Sequence, residues 1–82
     1  MHQLLYFVHV AGSASFAAAA RELEVDPSTV RLAVNELEQL VGLQLFDRSP
    51  QRIALTPPGR LMLPLAQRIL YLAGVIGTAG AP

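Results

Sequence analysis

The first apolar positions of the chain recur three and four residues apart, which is the spacing of one helix face. Leu4, Leu5 and Val8 follow this spacing, and the pattern stops at Gly12. It predicts a first helix over about residues 2–12.

Two further helices are predicted from their start signals. Ser15 is a good N-cap because its hydroxyl can accept a free backbone N–H of the next turn, and the alanine-rich run up to Leu23 has high helix propensity. This second helix should end near Glu24. Asp26 followed by Pro27 starts a third helix, since aspartate caps helices and proline at the first position gives up only an N–H that had no partner.

The third helix has one apolar stripe and a polar outer side, and Gly42 is expected to end it. The apolar stripe consists of Val30, Ala33, Val34, Leu37, Leu40 and Val41. The other sides carry Ser28, Arg31, Leu32, Asn35, Glu36 and Gln39. Such a helix, directly after a tight turn, is typical of a helix-turn-helix.

A β-ribbon and a fourth helix are predicted next. The apolar segments 43–46 and 53–55 flank the polar, turn-forming stretch 47–52, which predicts two short strands with an exposed tip. Thr56, followed by two prolines, caps and starts the fourth helix.

The apolar positions of the fourth helix go nearly all the way round its surface, which is more than one small domain covers. We expect Met62, Leu65 and Ile69 to pack on the domain's own helices. The positions then left without a partner, and expected to form the interface of a homodimer, are Leu63, Leu70, Leu72 and Ile76.

Length and composition restrict the chain to one small, helix-rich domain. It has 82 residues, of which 52% are apolar, and it contains 14 Leu and 12 Ala. Six Arg, no Lys and six acidic residues give a net charge of zero, so any affinity for nucleic acid must come from local charge placement. The absence of Cys removes disulfides, thiolate metal sites and cysteine nucleophiles.

Membrane insertion, metal binding and catalysis have little support. Residues 1–20 carry no Asp, Glu, Lys or Arg, but His9 and the break at Gly12 argue against a signal peptide or a membrane span. His2 and His9 lie ~10 Å apart along a helix, too far to share one metal ion. The chain has no Gly-rich phosphate loop and no Ser with a plausible His base, so we expect no enzyme activity, no cofactor and no metal.

Two short helices at a tight turn, followed by a β-ribbon, make a winged helix-turn-helix. A set of residues in fixed order accompanies these elements: Phe7, Ser15-Phe16-x2-Ala19-Ala20-x2-Leu23-x-Val25, Leu37-Glu38-x3-Gly42-x2-Leu45-Phe46-x-Arg48, Leu55-Thr56-x2-Gly59 and Leu63-Pro64-x-Ala66. With them the chain resembles the N-terminal domain of LysR-type transcriptional regulators, over residues 3 to about 72.

The resemblance implies a mainly α fold: a winged helix-turn-helix with a two-stranded β wing and a long C-terminal linker or dimerisation helix. It also implies a cytoplasmic bacterial regulator that binds double-stranded DNA as a homodimer, on an inverted repeat. We divide the chain into a DNA-binding domain, 1–57, and a linker helix with a tail, 58–82. The family's effector-binding domain, through which a small molecule would act, is absent from this chain, which we expect to be a fragment.

The family's DNA contacts carry over only by position, because the recognition helix departs from the family pattern. Asp26-Pro27 stands where the family usually has Ser-Gln, and Arg31-Leu32 where it often has Ser-Arg. The residues expected at bases are Ser28, Arg31, Leu32 and Asn35, with Arg31 at guanine, Asn35 at adenine and Leu32 at a thymine methyl. Those expected at phosphates or in the wing are Ser15, Thr29, Arg48 and Arg52.

Simpler interpretations stay open at this point. Arg31 is also explained as a solvated surface charge, Ser15 as an N-cap alone, and Arg48 as an ion-pair partner of Asp47 or Glu38. Because the recognition helix is nearly neutral, the alternative function is a winged helix that serves protein association, with weak or no DNA binding.

Overall fold

A computed structural model describes residues 2–48 and 53–75. Within these ranges the chain forms four helices and an antiparallel pair of strands, in the order α1 (His2–Ser13), α2 (Phe16–Leu23), α3 (Pro27–Val41), β1 (Phe46–Arg48), β2 (Ile53–Leu55) and α4 (Pro57–Leu72). In the sheet, Phe46 lies opposite Leu55 and Arg48 opposite Ile53. This is the winged helix-turn-helix that the sequence predicts. None of the described helices has the length and apolar character needed to cross a membrane.

The helix ends follow the predicted capping signals, with one exception. Ser15 Oγ accepts the backbone N–H of Ala18 at 3.1 Å, and the Thr56 hydroxyl caps α4 in the same way. Asp26 lies at the N-cap of α3, but its carboxylate makes no capping bond to that helix, so this part of the prediction is wrong. The Thr29 N–H in the first turn donates to the Asp26 carbonyl oxygen at 3.0 Å. This N–H therefore has a backbone acceptor without the carboxylate.

The core lies where α1, α2 and α3 pack together and α4 covers α1. Phe7 of α1 and Phe46 of β1 are both fully buried, with ring centroids 5.4 Å apart at a tilt of 55°. This aromatic contact joins the helices to the wing. The small residues of α2, Ala19 and Ala20, are buried too and allow the helix backbones to approach closely.

Gly59, at the start of α4, lies against the chain segment that enters the wing. A Cβ at this position would collide with the carbonyl oxygen of Leu45, which is backbone and cannot move aside alone. Gly59 is buried, and Leu45 is fully buried in the core. Because Gly59 has no side chain, the first turn of α4 can pack closely against the base of the wing.

The apolar stripe of α3 ends earlier than predicted. Val30, Ala33, Val34 and Leu37 are buried, whereas Leu40 is 76% exposed and Val41 also lies at the surface. Leu40 and Gln3 of the first turn of α1 line the same open surface pocket. The last turn of α3 therefore reaches the edge of the helix pair, where no further described helix covers it.

The first strand is also displaced from its predicted position. The strand begins at Phe46 and includes Asp47 and Arg48, whereas Leu43 is 52% exposed and lies outside it. The N–H groups of Gly42 and Leu43 still donate to the Glu38 carbonyl, at 2.9 and 3.3 Å, so the helix ending occupies the start of the predicted strand. Of the predicted turn-forming stretch 47–52, Asp47 and Arg48 belong to β1 instead, and residues 49–52 lie outside the described residues.

The buried face of α4 differs from the prediction. Leu70 is fully buried and Leu63 packs against the core, so the expectation that both lack a partner in the single chain is wrong. Leu65 and Ile69, expected to pack inside, are 63% and 45% exposed. The small residues Gly59 and Ala66 lie on the buried face and let it approach the rest of the domain closely. Compared with the predicted orientation, the helix is rotated about its own axis by about 100°, which is the angle between successive residues.

The exposed apolar stripe of α4 is formed by Leu61, Leu65, Ile69 and Leu72, which recur at helical spacing. Leu72 is exposed as expected, and Met62 packs inward as expected. Ile76, the last predicted interface residue, lies outside the described residues.

Candidate nucleic-acid interface

The outer face of α3 presents the side chains that the sequence assigns to base contacts. Ser28, Arg31, Leu32 and Asn35 are spaced by three, four and seven residues, which places them on one face of the helix. Ser28, Arg31 and Leu32 are exposed, and Leu32 is exposed by 59% although it is apolar. Asn35 is half-buried at the wing side of this face. Together they form one continuous face, which we call the recognition face.

Arg31 is held near this face by an aromatic ring at the start of α2. The guanidinium carbon lies 5.0 Å from the centroid of the Phe16 ring. A cation above an aromatic face is attracted by its quadrupole, so this contact favours the observed position of the guanidinium. The contact leaves the side chain exposed, with its N–H donors available to a ligand.

Arg48, predicted as a wing contact to phosphate, extends instead toward α3. Its two terminal nitrogens donate to Asn35 Oδ1 at 2.7 Å and to Glu38 Oε1 at 2.8 Å. Its guanidinium carbon also lies 5.3 Å from the Phe16 ring centroid. Of the two ion pairs left open by the sequence, the structure forms the one with Glu38.

Glu38 joins the recognition helix to the wing through both of its carboxylate oxygens. Oε1 accepts from Arg48, while Oε2 accepts the backbone N–H groups of Leu45 and Phe46 at 2.8 and 3.2 Å. Sequence reasoning named Glu38 as a member of the family pattern and as an alternative partner of Arg48, and missed its backbone role. One signal was available: an acidic residue near the C-terminal end of a helix opposes the helix dipole, so its presence there calls for compensating partners.

The remaining predicted phosphate contacts are placed as follows. The Ser15 hydroxyl is engaged as the cap of α2, so a phosphate at that helix end would meet backbone N–H groups. Thr29 is exposed in the first turn of α3. Arg52 lies outside the described residues.

The His, Asp and Glu side chains of the described part of the chain do not gather into a metal site. No group of three or more His, Asp or Glu side chains suited to a metal ion occurs there. His9 lies 3.2 Å from the carboxylate of Glu22, which also accepts a bond from the Ser13 hydroxyl at 3.3 Å. These three side chains tie α1 to α2 at the surface.

A match to a protein-family profile establishes how this chain is related to known proteins. The profile of the family described as bacterial regulatory helix-turn-helix protein, lysR family, matches residues 1–60. The chain belongs to the LysR family. Its relatives in that family are named as transcriptional regulators, among them CfxR of Cupriavidus necator, 44% identical over 70 residues, which are 85% of this chain and 22% of CfxR.

Two solved LysR domains share the fold. The DNA-binding domain of CbnR in complex with DNA is 41% identical, with a TM-score of 0.87, over 89% of this chain and 84% of that one. The DNA-binding domain of BenM with the catB site 1 DNA is 29% identical, with a TM-score of 0.85, over 89% of this chain and 82% of that one. The chain spans about a fifth to a quarter of the length of the curated relatives it matches over 70 residues.

Proposed function

We propose that this LysR chain binds double-stranded DNA in sequence-specific fashion, as the DNA-binding domain of a bacterial transcriptional regulator. The observation that carries the proposal is the recognition face of α3, which presents Arg31 and Asn35 beside a wing in a fold shared with LysR domains solved on DNA. In this arrangement α3 enters the major groove. Arg31 reads guanine or holds a phosphate, and Leu32 contacts a thymine methyl.

The wing and the N-terminal end of α2 supply the contacts to the DNA backbone. We assign phosphate or minor-groove contact to Arg52, to Thr29 and to the N–H groups of the helix that Ser15 caps. Arg48 supports the wing from within and contributes its charge there. These contacts orient the domain on the duplex, whereas the recognition face selects the sequence.

The active form is a homodimer on an inverted repeat. Two copies pair through the exposed apolar stripe of α4, which sets their recognition helices a fixed distance apart. Residues 58–82 act as the linker and dimerisation segment, residues 1–57 as the DNA-binding segment. Regulation by a small molecule belongs to a part of the protein outside this chain, and the protein works in the cytoplasm, where bacterial DNA is accessible.

A salt titration tests the proposal. The chain is measured on duplex from the DNA upstream of its own gene and on random duplex, at several salt concentrations. We expect tighter binding to the upstream duplex and a log–log slope of about −0.9 per neutralised phosphate on both. Absence of binding to every duplex, while the chain still dimerises, would favour the alternative of a protein-association module. The observation behind that alternative is that α3 carries Glu36 and Glu38 against Arg31 alone.

A further inference from the structure

The guanidinium of Arg48 holds the side-chain amide of Asn35 in one orientation. Nη1 of Arg48 lies 2.7 Å from Oδ1 of Asn35. Arginine carries N–H donors and no acceptor, so the amide NH2 group cannot take the place of the oxygen without setting two donors face to face. The amide is therefore fixed with its oxygen toward the wing.

Arg48 is itself held from two further directions. Its Nη2 donates to Glu38 at 2.8 Å, and Glu38 is fixed in turn by the backbone N–H groups of Leu45 and Phe46. The ring of Phe16 lies under the guanidinium at 5.3 Å. Because the planar guanidinium donates to two partners at once, it cannot turn toward another group without losing one of them. The orientation of the Asn35 amide is thus set in the free protein.

We infer that Arg48 is a positioning residue that makes Asn35 a hydrogen-bond donor to base edges, so that Asn35 selects guanine or thymine over adenine or cytosine. The inference rests on the proposed DNA binding. In the major groove, guanine presents two acceptors, O6 and N7, and thymine presents O4, whereas cytosine presents only an amino donor. Adenine presents its amino donor beside a single acceptor, N7, and that amino group has no partner unless the amide oxygen is free to accept from it. An unrestrained Asn pairs with adenine through both amide groups, which is what the sequence predicts. In this structure the amide oxygen that adenine requires is already bound to Arg48.

The base preference of the unmutated chain is the first test. Selection from a randomised duplex pool gives the preferred sequence, and the position read by Asn35 is the one at which Asn35→Ala alone relaxes the preference. There we expect guanine or thymine to be favoured over adenine or cytosine by about tenfold. A preference for adenine at that position overturns the inference, and this outcome needs no change at Arg48.

Arg48→Lys tests the positioning role itself. Lysine keeps the positive charge of the wing, but its compact ammonium group does not reproduce the two-pronged contact to Asn35 and Glu38. We expect the preference at the Asn35 position to fall to within about twofold while the salt slope is unchanged. In an Asn35→Ala background, Arg48→Lys should cause no further loss of preference. Arg21→Lys, at an exposed position on α2, is the matched control and should leave the base preference as it is.

The outcomes separate this inference from the function on which it rests. A purely structural Arg48 would weaken binding to all duplexes alike and leave the base preference intact, which would overturn the positioning role alone. Specific binding without a preference for guanine or thymine at the Asn35 position would also overturn the positioning role alone. Failure of the unmutated chain to bind any duplex would instead overturn the proposed function, and the inference with it.

Discussion

Glu38 illustrates how one side chain fixes the geometry of a whole interface. It is half-buried near the end of α3, where a negative charge is disfavoured by the helix dipole. Two backbone N–H groups and one guanidinium compensate, so both carboxylate oxygens have partners despite the position of Glu38. The wing is consequently attached to the recognition helix by polar contacts, in addition to the packing of Phe7 on Phe46.

Replacement of Glu38 should destabilise the fold. Glu38→Ala leaves the N–H groups of Leu45 and Phe46 without their acceptor and removes the charge opposite Arg48, which together cost about 2–3 kcal/mol. Glu38→Gln retains an acceptor of the same size and should cost about half as much. Urea unfolding followed by circular dichroism measures both. Equal stability of Glu38→Ala and the unmutated chain would show that water replaces these bonds without loss.

Arg31 is the recognition-face residue that the sequence and the structure both single out. If it reads a base, Arg31→Ala should cost about 1–3 kcal/mol on the preferred duplex and clearly less on random duplex. Arg21→Ala, an exposed position on α2, is the matched control for loss of a positive charge. Fluorescence anisotropy gives both dissociation constants. Equal losses on the two duplexes would make Arg31 a phosphate contact.

At the scale of elements, local signals in the sequence predicted the helices well. The start of α2 follows from Ser15, the end of α3 from Gly42 and the start of α4 from Thr56. Caps can be predicted in this way because they are local interactions between residues a few positions apart. The start of β1 was displaced because the ending of α3 extends past Gly42, which periodicity does not show. The bond from Arg48 to Asn35 joins residues 13 positions apart, and only the packed fold brings them together.

The orientation of α4 was missed for a related reason. A helix that is apolar on nearly every side gives no periodic signal for its buried face. The small residues Gly59 and Ala66 decide it, because they permit contacts that larger side chains would prevent. The position of such residues was a better guide to the buried face than the count of large apolar ones.

The contact between α4 and the wing can be tested at Gly59. Gly59→Ala places a methyl group against the Leu45 carbonyl, which must shift together with the base of the wing. We expect a loss of about 1–3 kcal/mol in the free energy of unfolding. Gly12→Ala is the matched control, since open space surrounds that position of α1, and it should be neutral or stabilising by up to about 1 kcal/mol. Thermal unfolding of the two variants compares them directly, and equal transitions would mean that the wing adapts without cost.

At the scale of the whole molecule, two groups of exposed apolar side chains lie on the described surface in addition to Leu32 of the recognition face. The stripe on α4 contains Leu61, Leu65, Ile69 and Leu72, and a smaller region at the end of α3 contains Leu40 and Leu43. Only the stripe lies on a single long helix, so that two copies can pack it against itself around a twofold axis. The proposed DNA recognition and the proposed assembly therefore use separate surfaces, with α3 and the wing serving the first and α4 the second.

Dimerisation should depend on the stripe and not on the other exposed leucines. Removing large apolar side chains from water contributes roughly 1.5–3 kcal/mol each before association entropy, so a charge in the stripe should dissociate the pair. We expect Leu61→Glu and Leu65→Glu to be monomers and to bind an inverted repeat more weakly than the unmutated dimer does. Leu40→Glu is a closely matched control, because Leu40 and Leu61 are 76% and 75% exposed, and it should remain a dimer. Sedimentation equilibrium at ~100 μM decides the question. If the unmutated chain is a monomer at that concentration, its free energy of dimerisation is weaker than about −5.5 kcal/mol. Pairing of that strength is too weak for α4 alone to set the spacing of two recognition helices.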